Sequence, residues 1–140
     1  MYSREIISNE EHLNWFNKSN NDPKKTLLIY EYLGEAQGYI NFEDLIDGGE
    51  EGVWGFYLSP FCKLKLGLAM GQTALKYGFS NIGYKKVWGE VIKENIISQR
   101  FHEKVGFTFK CFDKAFTSDI IVCKYQINDK KFYETLKNDN

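Results

Sequence analysis

What the chain lacks narrows the field first. It has only three cysteines, Cys62, Cys111 and Cys123, and no C-x-x-C pair. A disulfide framework or zinc knuckle is therefore not expected, and the thiols read as reduced and partly buried. There are two histidines, neither close to a cysteine in sequence, so no metal site is expected. Arginine is almost missing, at Arg4 and Arg100 alone, and the formal net charge is −1. No basic excess points to nucleic acid as a partner. No apolar run approaches the ~20 residues that span a bilayer, so no membrane partner is expected. Met1 to Glu11 is polar and slightly acidic, unlike an export leader, and a cytoplasmic location is expected. Repeats and low-complexity segments are absent as well.

What is present is a globular composition, 43% hydrophobic and 26% charged, with a high aromatic share of 16%. A chain of this length hides roughly two-thirds of its unfolded surface, enough for one core. One domain over residues 1–140 is expected, with 130–140 as a polar tail holding at most a short helix around Phe132 to Leu136. Ser8 with Glu11 fits a capping box and predicts a helix over residues 9–19, ended by Asn20-Asn21-Asp22-Pro23. Thr26 to Leu33 and Ala36 to Glu43 read as strands about a Gly34-Glu35 turn, and Val53 to Leu58 as a third strand stopped by Ser59-Pro60. A loop from Phe61 to Leu66 leads into a helix reaching about Asn81, with Leu64, Leu68, Gly71, Leu75 and Phe79 on one face. Lys85 to Ile92 is a strand. Asn95 can cap a further helix with Ile97, Phe101 and Val105 inward, and Gly106 suits its end. Phe107, Phe109 and Cys111, then Ile121, Cys123, Tyr125 and Ile127, alternate as two strands with one buried face each. Such an order predicts an α+β or mixed α/β sheet.

Two segments carry chemistry. The loop at 61–66 running into a helix start aims several N–H groups at one point, and Lys63 and Lys65 add charge there. That suits a phosphate or pyrophosphate; it also describes a surface loop with two solvated lysines. Glu90 lies in an apolar strand on the same face as Trp88 and Ile92, a setting that favours a general base, although a solvated or lysine-paired Glu fits equally. Asn95, Ser98 and His102 share a face of the next helix, either as a site or as a solvated stripe.

Asn95-x-x-Ser98-x-x-Phe101-His102-x-Lys104-x-Gly106-Phe107, following the strand that carries Glu90-Val91, resembles the acetyl-CoA-binding segment of the GCN5-related N-acetyltransferases (GNAT). The resemblance runs from Ser8 to about Ile127. It implies the GNAT fold, a central mixed sheet with a splayed strand pair, here without the first strand and helix. Local matches at Phe56 to Pro60, Ala74 to Phe79 and Phe101 to Phe107 are similar to the branch acting on nucleotide-linked amino sugars in pseudaminic acid synthesis. The family's pyrophosphate loop falls on Cys62 to Gly67, where Cys62 replaces a basic or amide residue and Lys65 replaces the first glycine. A rival register, Leu64 to Ala69, restores Gly-x-Ala but shortens the helix.

The resemblance implies acetyl-CoA as co-substrate, held by Leu58, Lys63, Leu64, Lys65, Leu66, Gly67, Asn95, Ser98, Phe101 and Lys104, with the Leu58 N–H facing the thioester carbonyl. It implies Glu90 as the base and His102 as the acid. The reaction expected is direct attack on the thioester by a primary amine in a ternary complex. The expected acceptor is a small molecule, a nucleotide-linked amino sugar. The alternatives are a protein N-terminal or antibiotic amine, or a degenerate CoA binder without turnover. Because the first expected strand would have an open edge, a homodimer is also possible.

Overall fold

A computed structural model describes residues 2–5, 13–18, 25–45, 49–59 and 64–138. Among the described residues eight strands form one sheet in the order β1-β2-β3-β4-β5-β6-β8-β7. They are β1 (Tyr2–Glu5), β2 (Leu13–Lys18), β3 (Lys25–Tyr32), β4 (Glu35–Asp44), β5 (Glu51–Leu58), β6 (Lys86–Ile92), β7 (Thr108–Lys114) and β8 (Ile121–Asn128). The helices are α1 (Leu64–Tyr77), which runs into a π-helical turn at Gly78–Ile82, α2 (Ile96–Val105) and α3 (Asp129–Asn138). Every strand pairing is antiparallel except β5 with β6. The mixed α+β class read from the sequence is the one observed.

The central strands form where β-branched and aromatic residues cluster. Leu33 and Gly34 both take positive φ, 53° and 84°, closing the β3–β4 hairpin in two residues as the strand twist favours. Alternation places Leu28, Tyr30, Ile40, Phe42 and Trp54 on one face, all 4% exposed or less. The helices pack on this face. Gly67 and Gly71, one turn apart on α1, let Phe101 and Val105 of α2 come into van der Waals contact with that helix.

The structure corrects several expectations. Residues 13–18 are strand, not helix: they pair with β3 from Leu13↔Tyr32 to Lys18↔Leu27. Pairing along a whole strand outweighs a local capping signal, and residues 9–12 lie outside the described ones. The edge of β3, expected to be open, is therefore covered by β2 and then β1. β7 has no buried face; all its residues are exposed, and a register shift between Phe109 and Cys111 breaks the alternation. Cys111 is accordingly exposed, whereas Cys123 is buried; Cys62 is not among the described residues. Ile97 is 84% exposed, and His102 is buried instead. The short helix expected around Phe132 to Leu136 is longer, running from Asp129 to Asn138 as α3, and it sets Phe132, 1% exposed, against Phe79 at a centroid distance of 5.3 Å.

Candidate active site

β5 and β6 run parallel and in register only from Glu51↔Lys86 to Trp54↔Gly89. Beyond that pair they part. The far half of β5 stays with β4 as far as Gly38↔Leu58, while β6 stays with β8 as far as Ile92↔Val122. The Ser59 N–H donates to the Gln37 carbonyl on β4 at 2.7 Å. N–H directions alternate along a strand, so those of Leu58 and Phe56 face the other way, into the gap.

A cavity of about 590 Å³ occupies that gap, lined by Trp54, Gly55, Phe56 and Leu58 of β5, Glu90 of β6, and Asn95, Ile97, Ser98, Arg100, Phe101, His102 and Lys104 around α2. Seven of the residues expected from sequence thus meet here: Leu58, Glu90, Asn95, Ser98, Phe101, His102 and Lys104. Leu66 and Gly67 are not among the residues that line the cavity. Leu64, Lys65, Leu66 and Gly67 form the first turn of α1, not a loop. Gly67 packs on Leu58, which ties that helix start to the end of β5. Lys63 lies outside the described residues. Sequence reasoning missed Trp54, Phe56, Arg100 and Ile97; the first two alternate with Leu58 on β5, a signal that was legible.

Asn95 caps α2 as expected, its Oδ1 accepting the Ser98 N–H at 3.1 Å. Glu90 lies on the sheet face opposite the helices and reaches the cavity through the gap. Both of its interactions fall on Oε2, which accepts the Phe116 N–H at 2.8 Å and stands 3.5 Å from Lys124 Nζ. Lys124 is itself buried, with its ammonium 3.1 Å from the centre of the Phe116 ring.

His102 is 2% exposed. The Trp54 indole N–H, which can only donate, gives its hydrogen bond to His102 Nε2 at 3.0 Å. The single ring proton is therefore on Nδ1, which donates to the Ser98 carbonyl at 2.8 Å. Burial pushes the imidazole pKa down to about 4, only partly offset by the Ser98 bond. A neutral ring with its proton turned into α2 differs from the proton donor expected of this residue.

The sequence matches the acetyltransferase (GNAT) domain family over residues 1–108. The chain belongs to that family and is an acetyltransferase. Curated proteins give no match. Among solved structures, mutant forms of the spermidine/spermine N-acetyltransferase SpeG from Vibrio cholerae superpose with TM-score 0.71 at 16% identity, covering 83% of this chain and 71% of that one. A chimera of SpeG from Vibrio cholerae and hSSAT gives 0.71 at 17%, covering 81% and 71%. The dodecameric spermidine N-acetyltransferase of Vibrio cholerae in an intermediate state gives 0.69 at 16%, covering 81% and 70%. At these identities the likeness is one of fold. Family members use acetyl-CoA. Among the described residues no cluster suited to a metal ion occurs, and no helix is long and apolar enough to cross a membrane.

Proposed function

We propose that this protein transfers acetyl from acetyl-CoA to the primary amine of a nucleotide-linked amino sugar, a 4-amino-4,6-dideoxy sugar of the pseudaminic acid type. The observation that carries the reading is the opening between β5 and β6 below Trp54↔Gly89, with unpaired β5 backbone on one wall and the capped start of α2 on the other. The fit to the donor is chemical: the Phe56 and Leu58 N–H groups suit an amide-bearing pantetheine arm. The first turn of α1 contains no acidic residue, and the sequence puts Lys65 within that turn and Lys63 just before it, which suits a diphosphate. Asn95, Ser98, Phe101 and Lys104 would flank the arm from α2.

The bound thioester supplies the acetyl group. The amine attacks its carbonyl carbon, the C–N bond forms, the C–S bond breaks and the thiolate leaves. The Leu58 N–H donates to the carbonyl oxygen as negative charge grows there. Glu90 takes the amine proton, directly or through one water, on its side of the sheet, where the acceptor approaches. Most of the acceleration comes from holding amine and thioester together. Acceptor choice is supported by Tyr39 and Tyr57, which stack at 5.5 Å on the same open face and are 42% and 50% exposed. A flat, exposed aromatic pair offers a platform on which a sugar ring or base can stack.

The test is release of free CoA thiol from acetyl-CoA with a panel of amines. Turnover is expected with the amino sugar nucleotide well above spermidine, a peptide N-terminus or an aminoglycoside; a preference for any of these overturns the acceptor assignment. Glu90→Gln is expected to lower kcat by roughly 10²-fold or more. Unchanged kcat would remove Glu90 from the chemistry.

A further inference from the structure

The two walls of the cavity are tied together at its root. Trp54 is the last residue of β5 paired with β6, and its side chain crosses to α2. From its indole N–H one hydrogen bond runs to His102 Nε2, and from His102 Nδ1 a second runs to the Ser98 carbonyl in the first turn of α2. Ser98 is held again at its N–H by Asn95. The indole-to-imidazole bond itself is buried, while the Ser98 and Asn95 end of the link is progressively more exposed. The His102 ring lies among Trp54, Phe56, Phe107 and Tyr125 at centroid distances of 4.9 to 5.7 Å. Gly89, the partner of Trp54 across the last register pair, leaves room for it, since a Cβ there would strike the imidazole.

We infer that Trp54 and His102 form a latch between β5 and the start of α2 that sets the width of the acetyl-CoA wedge, and that they act as positioning residues through an indole-to-imidazole hydrogen bond. The inference rests on the functional reading above and goes beyond it. What the site needs at position 102 is an acceptor facing Trp54, not a proton donor facing the substrate. Removing either partner leaves the other buried and unsatisfied, which lets strand and helix shift relative to each other. A shift of even an ångström at the reacting centre is costly in rate.

The experiment measures acetyl-CoA KM, kcat and their pH dependence in variants. His102→Leu and Trp54→Phe are each expected to lower kcat/KM about tenfold or more, chiefly through acetyl-CoA KM. The double variant is expected to be little worse than either alone, because both remove one bond. His102→Gln, which presents an amide oxygen near the place of Nε2, is expected to recover most of the loss with the same pH profile. The inference is overturned if His102→Gln is as impaired as His102→Leu, or if it loses a limb of the pH profile, since His102 would then be the acid. Imidazole ¹⁵N chemical shifts of the wild-type protein give a readout independent of turnover and of how the variants fold. They are expected to show Nδ1 protonated and Nε2 bare at neutral pH, with slow exchange of the Trp54 indole proton. The opposite tautomer or a fast-exchanging indole overturns the latch. A wild-type protein that neither binds acetyl-CoA nor releases thiol overturns the functional reading instead, and the spectra still decide the latch.

Discussion

At the scale of single residues, His102 carries the consequence with the clearest sign. Its pKa is about 4 in the folded chain and about 6.5 when unfolded, so between these values the unfolded state binds more protons. The stability it contributes is complete above pH 6.5 and is lost as pH falls towards 4. The shift corresponds to roughly 3 kcal/mol. Urea midpoints measured across pH 7 to 4 are expected to fall, and His102→Gln is expected to flatten that fall. An equally steep fall in the variant would assign the acid sensitivity to other groups. Tyr125, stacked on the imidazole at 5.5 Å, has its own pKa pushed up to about 12 by burial and by Glu103. It therefore stays neutral through that range.

At the scale of elements, α2 is short and its start overhangs the gap, where no strand lies beneath it. That is why Ile97 points to the cavity mouth and not into the core. With little packing under its first turn, α2 depends on its cap. Asn95→Ala is expected to cost about 1 kcal/mol of stability, and Asn95→Asp or Asn95→Ser much less. Thermal or urea unfolding of the three variants checks this, and an undiminished midpoint in Asn95→Ala would show that the cap contributes nothing. At its other end α2 stops at Gly106, whose φ of 120° no side chain adopts comfortably.

At the scale of the whole molecule, the two ends of the chain complete a sheet and core built in its middle. β1 and β2 extend the sheet past β3, and α3 closes the core over Phe79. Phe132 is the largest group that α3 buries, and truncation there leaves a cavity. Phe132→Ala is expected to cost about 3–5 kcal/mol in urea unfolding. The acetyl-CoA affinity of the folded fraction is expected to hold, because α3 contributes nothing to the cavity walls. A loss below 1 kcal/mol would show that α3 is only loosely docked.

Local signals in the sequence were enough for β3 to β6, for the cap and stop of α2, and for gathering Glu90, Asn95, Ser98, Phe101 and His102 into one segment. Periodicity, capping and turn chemistry act within a few residues, so they are written in the chain itself. The start of α1 at Leu64, the strand at Leu13–Lys18 and the exposed β7 were not legible, because each depends on a neighbour distant in sequence. The charge of His102 is the sharpest instance. Its type and place on the helix belong to the sequence, but its neutrality and the direction of its proton follow from Trp54, 48 residues away. Desolvation and hydrogen bonding to such a neighbour exist only once β5 and α2 have packed.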